Sequence, residues 1–214
     1  MTPLARLAAL LAALAPLAAA APSPHPSPAD ADAEAPPRWS DIKFSGSGCP
    51  QGHAPKLTSE DGSNSLEAPI TLTFDGRFRA STAPDKTSRM SACQVHISTR
   101  GSGSKGWQLA LSDVWAEGKG SLAPKASLEY YSTVFFSADA EKTQTLDGVL
   151  TNTKDSSISV PLEVHSSPGD KGLWSACSSD GHIANVIFRI VLPDKGTSNF
   201  EVSSEKLAFK WRRC

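Results

Sequence analysis

Alternation with a period of two residues, repeated in short runs along most of the chain, is the pattern that most limits how this sequence can fold. Successive side chains of a strand point to opposite faces, so apolar residues at every second position define one buried face. Pro69-Ile-Thr-Leu-Thr-Phe74 sets Ile70, Leu72 and Phe74 against Thr71 and Thr73, and Asp75-Gly76 follows as a turn pair. Cys93-Gln-Val-His-Ile97 groups Cys93, Val95 and Ile97 on one side, leaving Gln94 and His96 on the other. A Gly/Ser-rich loop, Gly101 to Gly106, then leads into a strand from Trp107 to Leu111. Ser127 to Ser137 places Leu128, Tyr130, Ser132, Val134 and Phe136 together, with Tyr131 and its outward neighbours opposite. Thr145 to Thr151 carries an Asp147-Gly148 turn signal. Ser157 to Val164 turns Ile158, Val160, Leu162 and Val164 inward and Pro161 outward, which suits an edge strand. Ile183 to Leu192, Phe200 to Val202 and Leu207 to Trp211 complete the set. Long helical patterns are absent, and Asp139 to Lys142 amounts to one capped turn. The expected fold is all-β, a disulfide-bridged β-sandwich of about nine or ten short antiparallel strands. A closed or partly closed barrel is the alternative.

The ends of the chain speak to compartment. Met1 to Arg6 carries a positive charge, Leu7 to Leu17 is almost entirely leucine and alanine, and Ala18 to Ala21 are small. That order is a signal peptide with cleavage after Ala20, and Pro16 breaks a segment already too short to span a bilayer. Pro22-Ser-Pro-His-Pro-Ser-Pro28 and the acidic stretch after it lack apolar periodicity and read as an extended tail. The expected organisation is therefore a signal peptide over 1–20, a Pro/Ala-rich tail over 21–38 and one β-sandwich domain over 39–214. Stable membrane insertion is not expected. A formal net charge of -1 with interspersed signs gives no basic footprint for nucleic acid.

Cys49, Cys93, Cys177 and Cys214 form an even set in a chain bound for an oxidising compartment, which favours two disulfides. Sequence permits three pairings; Cys49 with Cys93 and Cys177 with Cys214 is preferred because local pairings are simpler. Zinc spacing is missing, since no CxxC or HxxxH occurs. His53, His96, His165 and His182 lie far apart and read as solvent-facing, so neither metal nor cofactor is expected. The first histidine, His25, lies inside the tail rather than at the expected mature start, Ala21, which removes a chelating amino-terminal histidine. Gly101-Ser-Gly-Ser-Lys-Gly106 lacks the spacing of a phosphate loop. Asp113, Glu117, Glu129, Asp155 and Glu163 offer no pair that sequence brings together for glycoside hydrolysis. No catalytic residue is assigned.

Aromatic residues carry the binding expectation. Among Trp39, Trp107, Trp115, Trp174, Trp211, Tyr130 and Tyr131, the candidates for an exposed ligand surface are Trp115 and Tyr131. Trp115 stands between Asp113 and Glu117 in a Gly-rich neighbourhood, whereas Trp107 and Trp211 fall in runs with an apolar period.

Phe44-Ser-Gly-Ser-Gly-Cys49-Pro-Gln-Gly52, Ser88-Arg-Met-Ser-Ala-Cys93-Gln-Val95, Gly106-Trp-Gln108 and Trp174-Ser-Ala-Cys177 follow one another across most of Lys43 to Ile190. In that order they resemble the fungal secreted proteins of domain-of-unknown-function family 4360. The resemblance implies a small, secreted, cysteine-bridged and largely β protein. It also implies a structural role for Cys49, Cys93 and Cys177, and makes Cys214 a terminal closing partner. No established catalytic residue comes with it. Val114-Trp-Ala-Glu-Gly-Lys-Gly-Ser-Leu122 departs from the tyrosine- and arginine-rich segment common there, so a ligand surface in this stretch would be this chain's own. The functional expectation is a secreted, non-catalytic protein of the cell surface or extracellular space, binding wall polysaccharide or an extracellular protein. The alternative is a secreted glycan-active or metal-dependent enzyme. Oligomeric state leaves no trace in the sequence.

Overall fold

A computed structural model of the chain describes residues 37–83, 89–99, 106–177, 181–193 and 196–214. The expected signal peptide, nearly all of the expected tail and all but the last residue of the expected 101–106 loop lie outside them. The described residues form eleven strands in two antiparallel sheets. Strands β1 (Asp41–Ser45), β5 (Met90–Thr99), β10 (His182–Val191), β7 (Ser127–Phe136) and β8 (Thr143–Thr151) lie side by side in that order. The second sheet orders β2 (Lys56–Ser59), β3 (Ile70–Thr73), β11 (Asn199–Arg213), β6 (Trp107–Leu122) and β9 (Ile158–Ser166), with the short β4 (Arg79–Ser81) also pairing with β11.

The fold is a β-sandwich, and the apolar periods read from the sequence line its interior. Ile70, Leu72, Val95, Ile97, Leu128, Val186 and Ile190 are all fully buried. Each such side chain contributes about 1.5–3 kcal/mol through removal from water. Phe78 meets Phe188 edge to face at 5.6 Å, and both are fully buried. Pro161 sits on β9, at the edge of its sheet, where a missing donor breaks no ladder on the open side. The helical turn near Asp139 is a short 3-10 segment, Ser137–Asp139. Among the described residues no helix is long and apolar enough to cross a membrane.

Three strand boundaries differ from expectation for physical reasons. Asp147-Gly148 is not a turn: both residues lie inside β8, where Gly148 pairs with Tyr130. A Cβ at Gly148 would run into the Tyr130 phenol, so the glycine is kept by the ring above it. The strand from Trp107 does not stop at Leu111 but continues to Leu122, because Gly118 and Gly120 pair with β11 beneath the Phe200 ring. Phe200–Val202 and Leu207–Trp211 are one strand, joined through an irregularity between Val202 and Ser204.

Both disulfides are present. Cys49 and Cys93 bridge across a separation of 44 residues, with both residues buried in the core. Cys177 and Cys214 bridge across 37 residues at the surface and tie the end of β11 down.

Candidate functional site

The outer face of the six-stranded sheet owes its chemistry to one extra residue. Leu109 and Leu111 of β6 point into the core, and strict alternation would send residues 113, 115 and 117 after them. Opposite β11, however, Phe209 pairs with Leu111 and Ala208 with Asp113, so Ser112 is a bulge. Beyond it Val114 and Ala116 face the core, and Trp115 and Glu117 face outward.

Trp115 pairs with Lys206 of β11 on one side and His165 of β9 on the other. The His165 ring stacks on the indole with centroids 4.9 Å apart and an interplanar angle of 4°. The Lys206 ammonium lies 5.2 Å from the indole centroid, so the half-buried Trp115 stands upright between an imidazole and a cation. Asp113 holds His165 through a 2.8 Å contact to Nε2, and Lys206 also pairs with Glu60. Glu117 and Glu163 face each other directly across β6 and β9, both exposed. Cβ atoms in such a pair lie about 4.5–5.5 Å apart, a like-charge arrangement that costs stability. The Ser204 hydroxyl donates to a Glu117 carboxylate oxygen at 3.2 Å. All of these groups except Asp113 line a groove of about 530 Å³.

Farther along the same face Trp174 is covered by two cations, Arg212 at 4.2 Å and Lys210 at 5.5 Å from its centroid. Trp107 is only 9% exposed and lies under Arg213, while Trp211 packs against the core. Tyr131 is on β7, in the other sheet, so it and Trp115 face opposite sides of the sandwich. Its hydroxyl donates to Glu129 at 2.8 Å, which raises its pKa, and Arg189 stacks over its ring at 4.5 Å.

The remaining histidines serve separate places. His182 is buried with Nε2 donating to the Trp107 carbonyl at 2.8 Å, and burial lowers its pKa. His53 pairs with Asp75 at 3.0 Å. Among the described residues no three His, Cys, Asp or Glu side chains converge for a metal.

Sequence reasoning singled out Trp115 but passed over Glu60, Thr71, Ser204 and Lys206 in the same groove. Lys206 had a signal: the period of Leu207, Phe209 and Trp211 sends it outward. Glu60 and Thr71 had none, because only the pairing of β2, β3 and β11 brings them near Trp115.

The sequence pattern of one family, a domain of unknown function (DUF4360), matches residues 37–214. The chain belongs to that family. Curated proteins provide no match. Among solved structures, a carbohydrate-binding module, TmCBM61, in complex with β-1,4-galactotriose aligns at 8% identity and a TM-score of 0.28, covering 83% of this chain and 91% of that one. A structure described in terms of promiscuous carbohydrate-binding modules of the β-sandwich superfamily aligns at 14% identity and a TM-score of 0.26, covering 80% and 57%. A full particle of Israeli acute paralysis virus heated to 63 degrees aligns at 9% identity and 0.19, covering 96% and 85%. At such scores these likenesses add nothing to the geometry of this DUF4360 member.

Proposed function

We propose that this is an exported glycan-binding protein, with one domain over 39–214 behind a signal segment and a Pro-rich tail. The observation that carries the reading is Trp115, turned outward by the Ser112 bulge onto a groove rimmed by Glu117, Glu163, Ser204 and Lys206. A sugar offers an apolar C–H face to an indole and hydroxyl donors to carboxylates, and this groove has both partners. His165 covers one indole face, so a sugar ring reaches the other by displacing the Lys206 ammonium. That ammonium then donates to sugar hydroxyls. Wall polysaccharide is the ligand of choice, and an extracellular protein is the other partner the same face would suit.

The deciding experiment is retention of the mature protein on insoluble chitin, β-glucan and cellulose. Retention on at least one is expected, with W115A weakening it about tenfold or more, the loss of one aromatic contact, and Y131A leaving it unchanged. Failure of all three polysaccharides to retain the protein, or W115A binding like the wild type, ends the reading. Glu117 opposite Glu163 favours a second reading, glycan hydrolysis in the same groove. Release of reducing ends by the wild type, lost in E163Q with binding intact, would establish it.

A further inference from the structure

The outer face of the five-stranded sheet holds a constellation that glycan binding does not use. Lys43 of β1 lies opposite His96 of β5, and Ser45 opposite Gln94. On the other side of β5, Asn185 of β10 lies opposite His96. Ser45, His96 and Asn185 thus form a line across three strands. His96 Nε2 lies 3.3 Å from Ser45 Oγ, and His96 Nδ1 lies 2.6 Å from Asn185 Oδ1.

The partners of Asn185 favour one polarity for this line. Asn185 is 2% exposed. Its Nδ2 donates to the Ser137 hydroxyl at 2.9 Å and, at 3.5 Å, to the Ile183 carbonyl, a group that can only accept. The Gln94 amide donates to its Oδ1. An amide oxygen facing His96 Nδ1 requires the proton on Nδ1, so Nε2 of the neutral ring keeps its lone pair toward the Ser45 hydroxyl. A hydroxyl, a base and a group that orients the base are the parts of an activated nucleophile. Ser45 is exposed, and a groove of about 650 Å³ opens over His96, walled by Asp41, Lys43, Ser98, Ser137 and Ile183, with Ser45 just outside its lining.

We propose that Ser45 is a nucleophile for acyl transfer to water, with His96 as general base and Asn185 as its positioning residue. Among the described residues, Ile183 is the one large apolar side chain that the outer face gives this groove, since Phe44 alternates inward against the core, so its substrates are esters of short acyl chains with polar alcohols. Ser45 Oγ attacks the ester carbonyl carbon while its proton passes to His96 Nε2. The carbonyl–alkoxy bond then breaks, and His96 returns the proton to the departing alcohol oxygen. Water attacks the acyl-serine next, giving one proton to His96, which restores it to Ser45 Oγ as the carboxylic acid leaves. The balance is ester plus water to acid plus alcohol. Lys43, opposite His96 and held by Asp41 at 3.3 Å, is the cation that register places on this face for the oxyanion.

The test treats the protein with a fluorophosphonate probe and, separately, with p-nitrophenyl acetate. A single adduct mapped to Ser45 is expected, with acetate release falling about 100-fold in S45A and in H96Q, the usual worth of a positioned base. N185D is expected to keep release within about tenfold of wild type, because a carboxylate oxygen accepts the same Nδ1–H, whereas N185L loses it. Ser45 and His96 lie on the outer face of the sheet, so S45A and H96Q are expected to melt with the wild type. If N185L fails to fold, N185A takes its place: acetate release lost with folding intact supports the role of Asn185, and release at the wild-type level overturns it. Absence of an adduct at Ser45, or release that survives S45A undiminished, overturns the assignment and leaves the Trp115 face untouched.

Discussion

Glu205 is the residue whose placement most constrains behaviour in solution. It is 1% exposed, and among the described residues neither carboxylate oxygen has a hydrogen-bond partner. Burial pushes its pKa up to about 8 from an ordinary 4.5, because an ionised carboxylate in the core loses its hydration without recompense. The folded protein therefore holds a proton that the unfolded chain releases, and stability falls as pH rises from about 4.5 to about 8. The total is on the order of 5 kcal/mol, at about 1.4 kcal/mol per pH unit. His182 acts in the opposite sense: burial lowers its pKa, so its protonation favours the unfolded chain and its contribution to stability is lost as pH falls. The difference between E205Q and wild type isolates the glutamate. Urea unfolding at several pH values is expected to show E205Q gaining on wild type steadily across that window, with little difference at its acid end. A constant difference would show that Glu205 is ionised in the folded state.

At the scale of the strand, two bulges in the β6–β11 pair decide which side chains reach solvent. The Ser112 bulge turns Trp115 and Glu117 out, and the one at Ser203 lets Val202, Glu205 and Leu207 all face in. Deleting Ser112 removes the extra residue, and plain alternation then keeps Leu109, Leu111, Val114 and Ala116 inward and Trp115 outward in the same register with β11. Exposing both leucines would forfeit about 3–6 kcal/mol, so urea titration of the deletion variant is expected to show far less than that, the local loss being the Ser167 hydroxyl bond to the Ser112 carbonyl. A loss of about 3–6 kcal/mol in that variant would mean that the inward set of β6 depends on the bulge itself. These same strands mark the limit of what the sequence tells. The inward sets of β3, β5 and β10 are legible because each run is short and keeps one period throughout. The outward turn of Trp115 is not, since the bulge that produces it is fixed by pairing with a strand far later in the chain. Gly118, Gly120 and Gly148 read locally as turn or loop residues, yet each lies within a strand against an aromatic ring supplied from elsewhere. The Ser45, His96 and Asn185 line is illegible for a similar reason, because only the order β1-β5-β10 assembles it.

Over the whole molecule the two disulfides divide the labour of holding the fold. They close loops of 44 and 37 residues, so each restricts the unfolded chain to a similar degree, about 4 kcal/mol on the entropy model. Access separates them. Cys49 and Cys93 lie inside the core, whereas Cys177 and Cys214 are exposed, and thiol–disulfide exchange requires an attacking thiolate to reach a sulfur. Mild reductant without denaturant is therefore expected to open Cys177–Cys214 first, and alkylation followed by peptide mass mapping is expected to label only those two. The sandwich survives that step, because Leu207 and Phe209 keep β11 in the core between β3 and β6. Only the strand's end, already held by the Cys214 amide on the Gly106 carbonyl, gains freedom to fray. Opening Cys49–Cys93 requires the core to part, so its reduction rate is expected to follow urea concentration as global unfolding does. Equal labelling of all four cysteines in the absence of denaturant would mean that the two sheets separate far more readily than their packing allows.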